Sequence, residues 1–269
     1  MCTIALWFAG CGFNGSQGGT PPLPDAGHHI GPDAGPPDAS QPGPDAGPLA
    51  RRCASTDPSL RLCLDFEDPL NPGADASGRG HQIPLADGLT TINRGEERAV
   101  MMTNTSRLLV AEHADFDIQR ELTVSLWLSP GQQGQRMWLF DNNRQYAISY
   151  LDDGRIRCIA GSDVVDSATS IADTGWHHVA CTYDGDELVV HVDGAVAGCR
   201  ELERDLSTEG AEGIGVGANL GAGPTFTERF VGGLDNVQVF ARTWSSAQLC
   251  AAAGRTGCNA ECPNAGDDD

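Results

Sequence analysis

The chain of 269 residues carries 37 acidic side chains against 17 basic ones, a formal charge of −20, and every basic residue is Arg. Such a surface repels phosphate backbones, whose binding needs clustered positive charge, so nucleic acid and anionic membrane surfaces are excluded as partners. Ten Cys are many for a cytosolic protein, and they are scattered through strand-like segments rather than grouped at metal-ligand spacing, which points to disulfides outside the cytoplasm.

Residues 1–11 form a short apolar run ending in Phe8-Ala9-Gly10-Cys11. This resembles the lipobox of bacterial lipoproteins, which implies lipidation at Cys11 as the sole membrane contact. Gly12, rather than Asp, after the Cys implies anchoring to the outer membrane or surface of a Gram-negative cell. Residues 12–52 are dominated by Gly, Pro, Asp and Ala, with Pro-Asp-Ala-Gly recurring at 24–27, 32–35 and 44–47. Pro removes backbone donors and little is apolar, so a disordered tether is expected there.

Cys53 opens a folded part extending to Cys258, followed by a disordered acidic tail over 259–269. Apolar runs predict strands at 62–66, 83–92, 98–102 and 107–110, and at 122–128, where both faces are apolar, as in a central strand. Further strands are expected at 137–141, 146–151 and 155–160, with Asp153-Gly154 turning the chain between the last two. Asp141, Asn142, Asn143 and Arg144 make a polar loop flanked by Trp138 and Tyr146. Amides and carboxylates of this kind hydrogen-bond vicinal hydroxyls, Arg144 reaches an acidic group, and Tyr146 offers a stacking face. These five residues, Asp141 to Arg144 with Tyr146, are the candidate ligand site. The competing reading is a plain hairpin turn with Trp138 and Tyr146 packed in the core.

Residues 175–198 read as three antiparallel strands, reversed at Asp184-Gly185 and Asp193-Gly194, whose residues tolerate the positive φ of a tight hairpin. Cys158 shares the parity of Ile156, and Cys181 that of Val179, so both point into the core from neighbouring strands and are expected to bridge. A polar segment over 205–213 precedes a short strand at 214–217, a Gly-rich loop at 219–224, a closing strand at 230–241 and a helix at 245–253. Ser245 or Ser246 caps that helix, and Gly254 ends it.

The string Trp176-His177-His178-Val179-Ala180, followed by Tyr183-Asp184-Gly185 and Val192-Asp193-Gly194, resembles the signature of laminin-G-like, concanavalin-A-like jelly-roll domains. Leu64-Asp65-Phe66-Glu67, the 122–128 strand and Phe230-Val231-Gly232-Gly233-Leu234-Asp235-Asn236-Val237 agree in family order, spanning roughly residues 59–250. The resemblance implies an all-β jelly-roll sandwich of two antiparallel sheets, serving recognition of a glycan or an extracellular protein. It implies that the first and last strands pair antiparallel, placing Cys53 and Cys63 near Cys250 and Cys258 for bridges between the two groups, with Cys199 and Cys262 left unassigned. It also implies a calcium ion held by Glu67, Asp75 and Asp235, since Ca²⁺ takes six to eight oxygen ligands.

Glycan-cleaving enzymes of this fold alternate acidic residues along one strand. The nearest approach is Glu201-Leu202-Glu203-Arg204-Asp205, where the interleaved Arg suggests a solvated edge. His177 and His178 read as structural members of their strand. The expectation is therefore a surface-tethered, non-catalytic recognition module. A structural or adhesion role in the envelope is the alternative, and a polysaccharide hydrolase or lyase the remaining one.

Overall fold

The computed structural model describes Cys53 and residues 56–143, 145–208, 212–223 and 225–263. Cys11, the whole of the 12–52 segment, Arg144 and residues 264–269 lie outside the described residues. The strands in chain order are β1 Leu60–Leu64, β2 Leu85–Asp87, β3 Thr90–Arg94, β4 Glu97–Met102, β5 Arg107–Val110, β6 Leu122–Pro130, β7 Met137–Asn142, β8 Tyr146–Tyr150 and β9 Arg155–Ala160. They continue as β10 Asp163–Ser170, β11 His177–Tyr183, β12 Glu187–Val192, β13 Ala195–Glu201, β14 Ile214–Val216, β15 Asn219–Gly221, β16 Thr225–Thr227 and β17 Gly232–Phe240, followed by one helix, α1, Ser246–Ala252.

Two large antiparallel sheets result, the architecture of a jelly-roll sandwich. The first runs β13-β12-β11-β6-β17-β4-β3, with β1 pairing the C-terminal half of β17. The second runs β10-β9-β8-β7-β14-β5-β2. Period-two alternation decides which side chains meet between them. Leu126, Val179 and Val190 come from the first sheet and Phe140, Ile148 and Ile156 from the second, all fully buried in one core. Both β6 and β17 are central and buried on both faces; in β6 the polar Thr123 and Ser125 alternate with Leu122, Val124 and Leu126 and are buried with them.

Asp193 and Gly194 take φ of 51° and 81°, as the predicted two-residue hairpin requires. Gly194 is needed twice over, because a Cβ there would lie 2.6 Å from Cys250 Cα on α1. Ser245 and Gln248 form a capping box at the start of the helix. The run read as one strand at 83–92 is broken at Gly88, whose φ is 68°, so that β2 and β3 fall in different sheets. Two further elements lie where no strand is expected: β10, and the β15–β16 hairpin, which begins in the Gly-rich loop and ends beyond it. In that hairpin Leu220 and Phe226 pack on Leu85 and Leu109.

Four disulfides join the described cysteines: Cys53–Cys63, Cys158–Cys181, Cys199–Cys262 and Cys250–Cys258. Such a set marks a protein of an oxidising, extracytoplasmic compartment. Cys158 and Cys181 belong to β9 and β11, so their bridge crosses the core between the two sheets rather than joining neighbours within one. The expected bridges between the Cys53/Cys63 and Cys250/Cys258 groups do not form; each group pairs within itself. β1 does pair antiparallel with β17, but α1 then carries the chain to the far edge of the sheet. There Cys258 sits against Asp193 O and Val196 N donates to Asn259 O. Four strand spacings separate β13 from β17, about 19 Å, too far for a bridge back to β1.

Candidate ligand-binding cleft

The polar loop after β7 is largely turned inward. Asp141 is 4% exposed and its Oδ2 accepts the Leu220 backbone N–H at 2.8 Å. Burial pushes its carboxyl up to about 6, with that one hydrogen bond opposing. Asn142 is buried and donates to Phe116 O. Asn143 donates to Glu212 Oε2 at 3.0 Å, and Arg144 lies outside the described residues.

Tyr146 is not a stacking face. It is 2% exposed, stacks on Phe140 inside the core and donates its hydroxyl to Phe116 O at 3.0 Å, and burial pushes its phenol up. It shares the parity of Ile148 and Tyr150, a signal already present in the sequence.

Trp138 points the other way. Half-buried on the outer face of the second sheet, it donates its indole Nε1–H to Glu228 Oε2 at 2.5 Å, and Arg136 holds the same carboxylate through both oxygens. Glu228 adopts a φ of 44°, the left-handed region that side chains rarely occupy. Beside the ring opens a cleft of about 230 Å³ lined by Asp141, Asn143, Gln145, Ala147, Ile159 and Asn219. Gln145 is buried, with its amide bonded to Asp117 and Asn142, so the cleft joins a fixed aromatic ring to the amides of Asn143 and Asn219, the combination that receives a polar ligand with an apolar face.

Beside the cleft, and outside its lining apart from Trp138, strand pairing sets a row of residues. Arg229 bridges Trp138, Trp138 pairs with Ser149, Ser149 with Arg157, and Arg157 with Asp166. Paired residues share a face, so the five side chains cross the outer surface side by side. Arg157 is tied to Asp166 through Nε and Nη2. On either side of Trp138, Ser149 Oγ and Arg229 Nε are buried without a hydrogen-bond partner, a state that costs about 1–3 kcal/mol per group.

A larger groove, about 460 Å³, is lined by Phe240, Arg242, Trp244 and Gln248. Its aromatic surface is already engaged: Trp244 packs on Phe240 with ring centres 4.6 Å apart and belongs to the cluster around the Cys53–Cys63 bridge. Gln248 is spent on the helix cap.

The residues expected to hold calcium have other partners. Asp75 accepts from the backbone N–H of Cys63, Ser77 and His81 and from the Ser77 hydroxyl. Glu67 accepts from the Arg98 N–H. Asp235 is fully buried and paired with Arg94 Nε at 2.6 Å. Among the described residues these three carboxylates do not gather around one point, so they do not fit a calcium ion. Ligand atoms of His81, His113 and Asp115 do approach one another, but His81 Nε2 is bonded to Arg61 O, and Asp115 to Arg79.

The signature strings converge on structural work. Arg94 lies 4.5 Å from the centre of the Trp127 ring and 5.8 Å from that of Trp176, and a Cβ on Gly233 would strike Trp176 at 2.6 Å. His178 is buried edge-on to Trp127. Burial opposes protonation of His177, but Asp173 and Asp193, each 3.0 Å away, raise the imidazole above its ordinary value. At the 201–205 string, Arg204 pairs with Asp163 and Asp205 with Arg120.

Residues 103–250 match the family model of the concanavalin A-like lectin/glucanases superfamily, laminin G type, and the chain belongs to that superfamily. A search of curated proteins gives no match. Similar solved structures include domain 4 of AbnA, a GH43 extracellular arabinanase from Geobacillus stearothermophilus, in complex with arabinotriose. It is 17% identical with a TM-score of 0.58, covering 72% of this chain and 98% of that one. The binding domain of Paraclostridial Mosquitocidal Protein 1 is 16% identical with a TM-score of 0.57, covering 72% and 52%. The binding domain of botulinum neurotoxin DC, in complex with rat synaptotagmin II, is 11% identical with a TM-score of 0.56, covering 73% and 51%. The chain thus spans about half the length of the two toxin domains, and at these identities the likeness is one of fold.

Proposed function

We propose that the chain is a non-catalytic recognition module that binds a glycan at the Trp138 cleft. The observation that carries this reading is the half-exposed Trp138 ring, fixed by Glu228 beside a cleft lined with Asn143, Gln145 and Asn219. Neighbours of the same fold are described in complex with arabinotriose in one case and a protein in another, so a protein ligand is the other occupant to test. The two carboxylates nearest the ring are engaged, Glu228 by Arg136 and Asp141 by the Leu220 N–H, which favours binding over acid–base chemistry. Lipidation at Cys11, with a tether over 12–52, would display many copies. Single exposed polar contacts contribute only about 1 kcal/mol net, so a lone sugar is held at about millimolar affinity and useful binding relies on multivalency.

The test is a glycan array probed with the chain displayed multivalently, as wild type and as Trp138→Ala. Loss of binding in a variant that melts like wild type supports the cleft. Unaltered binding places the site elsewhere, and no binding to any glycan by wild type turns the reading to a protein ligand or an adhesion role.

A further inference from the structure

We infer that the ligand of the Trp138 cleft carries a carboxylate, as a uronic-acid oligosaccharide does, and that Arg229 binds it; this rests on the reading of the cleft as a glycan site. In a chain of net charge −20, a cation without a partner is conspicuous. Alone among the described arginines, Arg229 has a side chain with neither an ion pair nor a hydrogen bond, and its Nε is buried. Its place is set by the bridge to Trp138, with Trp138 N donating to Glu228 O at 3.0 Å. Phe230, the next residue, is fully buried in the core, so Arg229 stands on the outer face beside the indole.

The carboxylates of the cleft and the row are otherwise committed. Glu228 is chelated by Arg136, Asp166 by Arg157, and Asp141 is buried under the Leu220 N–H. Arg229 is left as the one cation in the row whose guanidinium has no carboxylate partner. A guanidinium presents a planar fork that matches a carboxylate bidentately, which a hydroxyl does not. From Arg229 to Arg157 the row covers three strand spacings, about 14 Å, room for a short oligosaccharide laid across the strands.

The probes are an oligogalacturonate and its methyl ester, in which each carboxylate charge is replaced by a neutral methyl ester, each immobilised and titrated with the full chain. Wild type is expected to bind the acid form about 10-fold more tightly than the ester. Arg229→Gln should abolish that preference and Arg229→Lys keep part of it, both melting as wild type does. Equal binding of acid and ester by wild type, or a preference that survives Arg229→Gln, overturns the inference and leaves glycan binding intact. So does capture of a neutral oligosaccharide alone in a manner lost in Trp138→Ala, whereas failure to bind any saccharide overturns both readings.

Discussion

Trp138 and Glu228 are joined by a hydrogen bond of 2.5 Å from the indole Nε1 to the carboxylate, and this fixes an aromatic ring on an otherwise polar surface. Glu228→Ala frees the ring, which must then be immobilised on binding, at about 0.5–1.5 kcal/mol for one side chain. Affinity for the bound glycan is expected to fall about 2- to 10-fold while Trp138 fluorescence anisotropy drops. An unchanged titration would show that the bond does not prepare the ring for a ligand.

The Cys158–Cys181 bridge staples one sheet to the other across a separation of 23 residues, whereas Cys250–Cys258 closes only 8. Chain entropy then assigns about 3 kcal/mol to the first and about 2.5 kcal/mol to the second. The first also fills the core, because both of its cysteines are buried. Urea unfolding of the Cys158→Ala/Cys181→Ala protein should show the larger loss of stability of the two double variants, and equal losses would contradict the inter-sheet role.

Two buried groups push stability in opposite directions with pH. Asp141 titrates at about 6 in the fold against 3.8 ordinarily, so its share is complete below about pH 4 and lost as pH rises through about 6. His191, lowered by burial to about 4 from 6.5, contributes fully above about pH 6.5 and loses that share as pH falls through about 4. Asp141→Asn keeps an acceptor for the Leu220 N–H and removes the first slope. It is expected to raise stability at pH 8 by about 1–3 kcal/mol, and the variant should gain stability more steeply than wild type as pH rises from 4 to 6.5. Denaturant unfolding across that range decides it.

Arg94 is held between two indoles and compensates the buried Asp235, whose carboxyl is pushed up to about 7 by burial, with Arg94 opposing. Removing one partner of such a pair costs about 3–5 kcal/mol. Arg94→Ala should show that loss at pH 8 and a smaller one at pH 5, where Asp235 takes up a proton. A loss independent of pH would assign the role of Arg94 to packing alone.

Calcium in excess is expected to leave the melting temperature unchanged, because Glu67, Asp75 and Asp235 are each bonded to other groups. A rise abolished by Asp235→Ala would reverse this.

The Cys11 proposal is tested by metabolic labelling with palmitate. Label is expected on the wild-type chain and not on Cys11→Ser, and equal labelling of both removes it.

Local chemistry in the sequence was sufficient for most of the strands, the Asp193-Gly194 hairpin, the Ser245 cap and the family, because alternation, positive-φ tolerance and side-chain capping each act within a few residues. Parity also joined Cys158 to Cys181 and could have placed Tyr146 in the core with Ile148. Other features depended on what lay far along the chain. The break at Gly88 sends β2 and β3 to different sheets, and the path of α1 decides that Cys250 pairs with Cys258 rather than with a cysteine of β1. The row from Arg229 through Trp138 and Ser149 to Arg157 joins four segments, Trp138 and Arg229 being 91 residues apart. No periodicity within any one of them marks the others, because cross-strand neighbours are chosen by the packing of two whole sheets.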